Sequence, residues 1–417
     1  MNKFFFDQPE LPLLSDKDFV NTPIVTKYYT LFEYLDLSHI KDHNKGIGCS
    51  GYSTHSMIKA FIVKTLERIP SIPELIWRLQ NEPYLSKYVL GFKTTIPDAS
   101  QFYRFLKKFH TSEIEHLITN INKVTFKLLN KKIETVIIDS KPIKANTKEN
   151  NPKNFNHNLS GKNKKPKRNK QATLSYFSST NDVNGIQKVL FFWGYRIHII
   201  FGGDGETQLP LVFKLYPNNV TDNIAAENLF SKLKRYYNII KQDELILIAD
   251  KGYDAYNVYH KFYELFKGKE VIPTNIRNTK NTDNKIPVCK ANYEMKYGGS
   301  WYDSIEHRTR FKFVCPIKNN GCTYRKSDYG CTKYLQIRDE LPGKLYPHQQ
   351  LFKKLYPKRF GIEQYNSVLQ HLGQETPNHF KRKSIENTIL FAILGTVLIA
   401  NHNARKEVLK EPITKAA

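Results

Sequence analysis

Three acidic residues occupy positions from which they could act together. Asp139 ends the β-branched run TVIID (135–139), Asp250 ends LILIAD (245–250), and Glu363 lies on a late helical segment that starts near Pro357. In open α/β sheets, sites form at the carboxyl ends of strands. One acid taken alone is most often a helix cap or an ion-pair partner; the joint placement is what points to chemistry. Three gathered carboxylates repel one another and need a cation. A ligand set made only of oxygen favours Mg²⁺ or Mn²⁺. Two such ions roughly 3.5–4 Å apart can activate a water or a 3′-hydroxyl and stabilise the leaving oxygen.

The elements that must position these acids follow a recognisable order. After TVIID comes WGYRIHIIFGGDGETQLPLVFKL (193–215), two β-rich runs around GGDGE that predict a hairpin. A helix over about Asn223–Tyr237 precedes the LILIAD strand. A helix over about Ala255–Phe266, a strand EVIPT (270–274), the Glu363 helix and an apolar helix over about Ser384–Ala404 complete the set. This is the order of an α/β, ribonuclease H-like core. Its first and fourth strands lie side by side, which would join Asp139 to Asp250, and its late helix would lay Glu363 across them. Residues 275–350 show no long periodic element and read as an insertion.

The chain before this core is helical. Ser53 caps a segment with Ile58, Phe61, Ile62 and Leu66 at helical spacing, and SIPE (71–74) is a capping-box pattern ahead of Leu75, Ile76 and Leu79. Phe102, Phe105, Leu106 and Phe109 mark a third helix. A fourth, from near Thr111, carries Ile114, Leu117, Ile118, Ile121 and Val124. A helix-turn-helix-like DNA reader and a plain helical bundle both fit, since no recognition helix can be picked out. Residues 1–50 read as an irregular arm. The expected layout is an all-α N-terminal domain over 1–130, a catalytic core over 131–405 and a tail over 406–417.

Composition sets the partner. The chain has 417 residues with 64 Lys plus Arg against 39 Asp plus Glu, a net charge of +25. Protein this basic usually meets a polyanion, most often nucleic acid. The tract 141–170 concentrates the charge, with ten basic residues, among them Lys164, Lys165, Lys167 and Arg168, against one acid, Glu149; it predicts a loop that contacts phosphates. A membrane is not expected. The longest apolar run, ILFAILGTVLIA (389–400), is shorter than the roughly 18 residues a spanning helix needs, and reads as a buried helix. The first residues do not form a secretory signal, and five cysteines, an odd number, argue against a disulfide scaffold. The expected location is the cytoplasm. Cys289, Cys315, Cys322 and Cys331 suit a structural zinc by number, but no C-x₂-C pair exists, which favours free thiols.

The ordered motifs resemble the DDE transposases of bacterial insertion sequences, of the type with a Tyr-Arg-Glu-Lys signature. IIDSKPIKA (137–145) is similar to that family's first-Asp motif and ILIADKGYD (246–254) to its second. GYRIHI (194–199) and NNVTDN (218–223) resemble the hairpin and helix entry between them. YPKRFGIEQYNSVLQ (356–370) places Tyr356, Arg359 and Glu363 at the family's spacing, and FKTTIPDASQFYRFL (92–106) resembles part of its N-terminal domain. The resemblance implies that Asp139, Asp250 and Glu363 hold Mg²⁺ or Mn²⁺, two ions in all. Arg359 would neutralise a phosphate with its planar fork, and Tyr356 would bond the DNA backbone. Where the family has Lys, this chain has Gln370; Lys381 or Lys383 would have to supply the missing phosphate contact. The implied partners are double-stranded DNA, as inverted-repeat ends and target, and a second copy of the chain forming a homodimer on paired ends. The rivals are a catalytically silent DNA-binding descendant and a metal-dependent nuclease of the same fold. Four further residues carry two readings each. His198 faces the metal site or is a satisfied strand histidine, and Lys251 contacts DNA or caps the following helix. Trp193 and Trp301 stack on a flipped base or, the favoured reading, pack in the sheet.

Overall fold

The computed structural model describes residues 22–42, 51–92, 95–151, 166–178, 189–204, 207–237, 245–273, 287–303, 308–317, 322–324, 330–337, 344–345 and 350–410. Lys164, Lys165 and Thr274 lie outside the described residues.

Helices come first. α1 (Pro23–Glu33) corrects the expectation of an irregular arm: Val25, Tyr28, Leu31 and Phe32 form one buried face. Its stability comes from packing more than from propensity, and the Tyr28 hydroxyl donates to Glu67 Oε1 at 2.6 Å. α2 (Thr54–Leu66) is capped by Ser53, whose hydroxyl accepts from the Ser56 amide. α3 (Ile72–Asn81) has the forward half of the expected box, Ser71 Oγ accepting from the Glu74 amide at 3.2 Å. Asp98 caps α4 (Ala99–Lys108), and α5 (Thr111–Leu128) follows after two residues. Asn130, at φ 51°, then turns the chain toward the sheet in a conformation asparagine tolerates.

The sheet is built from β1 (Thr135–Lys144), β2 (Thr173–Ser178), β3 (Val189–Gly203), β4 (Gln208–Pro217), β5 (Ile246–Ala249), β6 (Lys269–Val271) and β10 (Lys344–Leu345). Neighbours run β10–β6–β5–β1–β3, and β3 also pairs with β4 and, over its first residues, with β2. β1, β3 and β4 are antiparallel; β5 joins β1 in parallel, and β6 joins β5 in parallel. This is the ribonuclease H-like arrangement. The register of β3 and β4 shifts between Ile200 and Phe201, next to Pro210, a strand proline tolerated at such an irregularity.

Alternation along β1 sorts its side chains between two cores. Val136 and Ile138 join α6 (Asp222–Tyr236) and α7 (Tyr256–Phe266) on one face. Ile137 joins the opposite core with α9 (Phe360–His371) and α10 (Arg382–Lys410). α10 is longer than its apolar run suggested. It has a window apolar enough for a membrane span, but 83% of that window is buried inside the protein, packed on α2 and α5. Phe391 stacks on Phe61 with ring centroids 5.3 Å apart.

The insertion is not featureless, as expected, but holds an antiparallel sheet of β7 (Lys296–Asp303), β8 (Arg308–Val314) and β9 (Thr332–Ile337). Charged residues and the Gly298–Gly299 irregularity interrupt the alternation that would have marked these strands. The basic tract is also not all loop. β1 runs on to Lys144, and Lys141 is buried, with its ammonium donating to the Asn366 carbonyl and pairing with Glu375, each at 2.9 Å. The short α8 (Gln350–Leu355) and a 3₁₀ turn over Tyr356–Arg359 lead into α9.

Candidate active site

Strand pairing brings the first two acids together. Ile138 of β1 is the register partner of Ala249 of β5, so Asp139 and Asp250 are the next residues on adjacent parallel strands, about 4.8 Å apart at the backbone. Both are half-buried. Asp139 lies on the α9 side of the sheet, where Asn366 Nδ2 donates to its Oδ2 at 3.2 Å. Asp250 caps a 3₁₀ turn (Lys251–Tyr253), with its Oδ1 accepting from the Gly252 amide at 2.8 Å.

α9 supplies the third acid. Lys141 grips the Asn366 carbonyl, and the Tyr365 ring packs on Phe201 with centroids 4.4 Å apart while its hydroxyl meets Thr396 Oγ1 at 2.8 Å. These contacts hold α9 across β1. Glu363 is exposed, and its Oε1 accepts from Arg359 Nη1 at 2.8 Å. Asn366 shares its face one turn on.

The electrostatics show that these groups sense one another. Burial pushes the Asp139 carboxyl up to about 6; Arg359 pulls it down, and Asp250 and Glu363 push it further up. Burial works against the Arg359 charge, but Asp139, Tyr356, Glu363 and Asp250 outweigh it and hold the guanidinium more firmly protonated. Two like charges about 5 Å apart cost about 3 kcal/mol at an effective dielectric constant of 20. One guanidinium cannot balance three carboxylates, so the cluster keeps a net negative charge. Its donor chemistry fits a hard divalent cation. Among the described residues, no three His, Cys, Asp or Glu side chains are gathered closely enough to hold one ion.

The remaining sequence candidates are scattered. Tyr356 is half-buried and stacked on Phe352, and Lys251 is exposed beside Asp250. Arg168 and Lys167 are exposed; the Arg168 guanidinium sits 4.8 Å over the Phe380 ring, and the Lys167 amide meets Glu149. Trp193 is half-buried in β3, and Trp301 is 44% exposed with its ring edge-on to Tyr334. Gln370 is exposed on α9. The four described cysteines are free.

Three residues near the acids had no reading of their own in the sequence. Asn366 bonds Asp139. Asp222, at the start of α6, accepts from Arg196 Nη1 at 3.3 Å, and burial raises its carboxyl, with Arg196 opposing and Asp250 adding to the rise. Arg196 is two residues before His198 in β3. The available signal was the acid of NNVTDN (218–223) just before the predicted helix. His198 is fully buried, with Nδ1 3.1 Å from the Tyr253 hydroxyl.

Comparison with known proteins adds two matches. Residues 130–398 match the family model described as "Transposase DDE domain", and residues 21–108 match one described as "Transposase domain". A comparison with curated proteins finds no match. Among solved structures, the fold is similar to a cryo-EM structure of the piggyBac transposase synaptic complex with hairpin DNA. That likeness has 10% identity and a TM-score of 0.35, and covers 93% of this chain and 74% of that one. It is too loose to carry any argument.

Proposed function

The chain belongs to the Transposase DDE domain family, and from that premise we propose that it cuts and rejoins DNA at the ends of its own insertion sequence. A transposase of this family is a DNA-acting enzyme that works with divalent metal ions. The finer reading is that it binds the terminal inverted repeats and hydrolyses a phosphodiester to free a 3′-hydroxyl. It then directs that hydroxyl at another strand or at target DNA. The observation that carries this reading is the pairing of Asp139 with Asp250 across β1 and β5 under the Arg359–Glu363 turn of α9.

Asp139, Asp250 and Glu363 would hold the metal, read as two Mg²⁺ or Mn²⁺ ions, which when bound activate the attacking oxygen and offset charge on the phosphate. The chain's own groups do the rest. Asn366 fixes the rotamer of Asp139. Lys141 fixes α9 against β1. Arg359 is half-buried and paired with the exposed Glu363 at 2.8 Å; with Glu363 on a metal, its donor fork would turn to a DNA phosphate. Tyr356, on the preceding turn, reaches the same backbone. Residues 1–130 are read as the arm that grips the repeat, and a homodimer is read as pairing two ends.

The test is a labelled duplex bearing the element's end, incubated with Mg²⁺ or Mn²⁺ and a target plasmid. Cleavage with joined products supports the reading. Cleavage without joining indicates a nuclease, and binding without cleavage indicates a silent descendant.

A further inference from the structure

Between Asp139, midway along β1, and Asp250, at the end of β5, lies an arc of side chains. Ser140, next to Asp139, hydrogen-bonds the hydroxyl of the fully buried Tyr253. That hydroxyl meets His198 Nδ1 at 3.1 Å. His198 is the register partner of Ser140, and its other nitrogen, Nε2, is buried with no hydrogen-bond partner among the described residues. Nε2 points to Asp222 Oδ1 at 3.9 Å, just beyond bonding distance. The same oxygen takes the Arg196 guanidinium at 3.3 Å. The other oxygen of Asp222 lies against Gly252, in the turn that Asp250 caps. A Cβ built on Gly252 would sit 2.9 Å from both Asp222 Oδ2 and Asp250 Oδ1, so the two carboxylates flank one small residue, and a larger one would push them aside.

The polarity of the arc is set by its ends. If Ser140 donates to the Tyr253 oxygen, Tyr253 donates to His198 Nδ1, and the ring proton rests on Nε2, facing Asp222. Burial and Arg196 hold His198 down to about 3, so the ring is neutral.

We propose that Asp222 is a positioning residue: clamped by Arg196 and faced by His198, it braces the Gly252 turn and thereby sets where Asp250 stands relative to Asp139. It acts through Asp250 and touches neither metal nor DNA. Second-layer partners of metal ligands typically change metal affinity 10–100-fold when removed. This inference rests on the assignment of Asp139, Asp250 and Glu363 as the metal-holding set.

The experiment measures Mn²⁺ binding to the DNA-free full-length chain by electron paramagnetic resonance, with thermal melting alongside. The proteins are wild type, Asp222→Asn, Tyr253→Phe and Asp250→Ala. Asp222→Asn keeps the shape of the side chain, so its melting temperature should stay close to that of wild type. Its Mn²⁺ dissociation constant should rise about tenfold, and Tyr253→Phe should shift it in the same direction by less. In cleavage assays the Mn²⁺ concentration for half-maximal rate should rise, while the rate at saturating Mn²⁺ stays near wild type. An unchanged Mn²⁺ affinity in Asp222→Asn, with Asp250→Ala weakened, overturns the inference alone. A loss as deep as that of Asp250→Ala also overturns it, because Asp222 would then be a ligand. Wild-type Mn²⁺ affinity in Asp250→Ala overturns the site assignment and the inference with it.

Discussion

Gln370 lies two turns beyond Glu363 on the same exposed face of α9, where the resembled family carries a lysine. A lysine there would add one cation along the path proposed for a DNA strand past the acids. Gln370→Lys should therefore tighten DNA binding and steepen the dependence of log affinity on log salt by up to about 0.9, the value for one neutralised phosphate. Mobility shifts across a salt series measure it; an unchanged slope would place Gln370 away from DNA. At this scale the sequence exposed the acids unevenly. Asp139 and Asp250 were legible because each ends a short β-branched run. Asn366 was not, because its role depends on α9 lying across β1 with Lys141 holding its carbonyl, a bond between residues 225 positions apart in the chain. Asp222 hid as an ordinary helix-start acid, a place where acids are common for dipole reasons alone. His198 combined its two readings: one ring nitrogen is satisfied by Tyr253, and the other faces an acid beside the site.

Elements were legible where they carry their own period. The helices from Ser53 onward and the β3–β4 hairpin show it, and the buried α10 was legible instead as an unbroken apolar run. The β7–β9 sheet does not show it, since charges break up the strand pattern of the insertion; α1 keeps a helical spacing at Val25, Tyr28, Leu31 and Phe32, but over only 11 residues. Two tests belong to elements. Phe391 of α10 is fully buried and stacks on Phe61 and Phe105. Phe391→Ala should cost about 3–5 kcal/mol, read by denaturant unfolding; a cost below about 1 kcal/mol would mean that α10 does not knit the helices together. β6 carries the second. Glu270 is fully buried, and neither carboxylate oxygen has a hydrogen-bond partner among the described residues. Burial pushes it up to about 9 from an ordinary 4.5, against the pull of its own backbone N–H and of Lys344. A raised carboxyl contributes stability that is fully present below the ordinary value and is lost as pH rises through the raised one. Wild type should thus lose stability between pH 4.5 and 9 through this group, whereas Glu270→Gln should not. The melting temperature of Glu270→Gln relative to wild type should climb steadily from about pH 5 to about pH 9, and a flat difference would show that Glu270 is ionised in the fold.

The whole molecule carries a charge of +25, but Asp139, Asp250 and Glu363 lie near enough to influence one another's charge. Cationic surface around an anionic centre suits a long polyanion with one reactive phosphate, and it separates binding from chemistry. In the proposed function, the basic tract belongs to binding. Changing Lys164, Lys165, Lys167 and Arg168 to Ala should weaken all duplexes alike and flatten the salt slope by up to about 0.9 for each phosphate left unneutralised; a sequence-selective effect would make the tract a reader of bases. Lys141 is left out of that set because it is buried against α9. In the same proposed function, the acids belong to chemistry. Asp250→Ala removes a proposed metal ligand and no positive charge, so duplex binding should persist or tighten. Asp139→Ala and Glu363→Ala should behave alike, with double variants little worse than singles, because the three act as a unit. The central claim is tested most directly by end cleavage of a labelled repeat-bearing duplex in Mg²⁺ and in Mn²⁺, wild type against Asp250→Ala, with mobility shifts of the same samples. Metal-dependent cleavage by wild type, with binding but no cleavage by Asp250→Ala, is the predicted result. Near-normal cleavage by Asp250→Ala would contradict it.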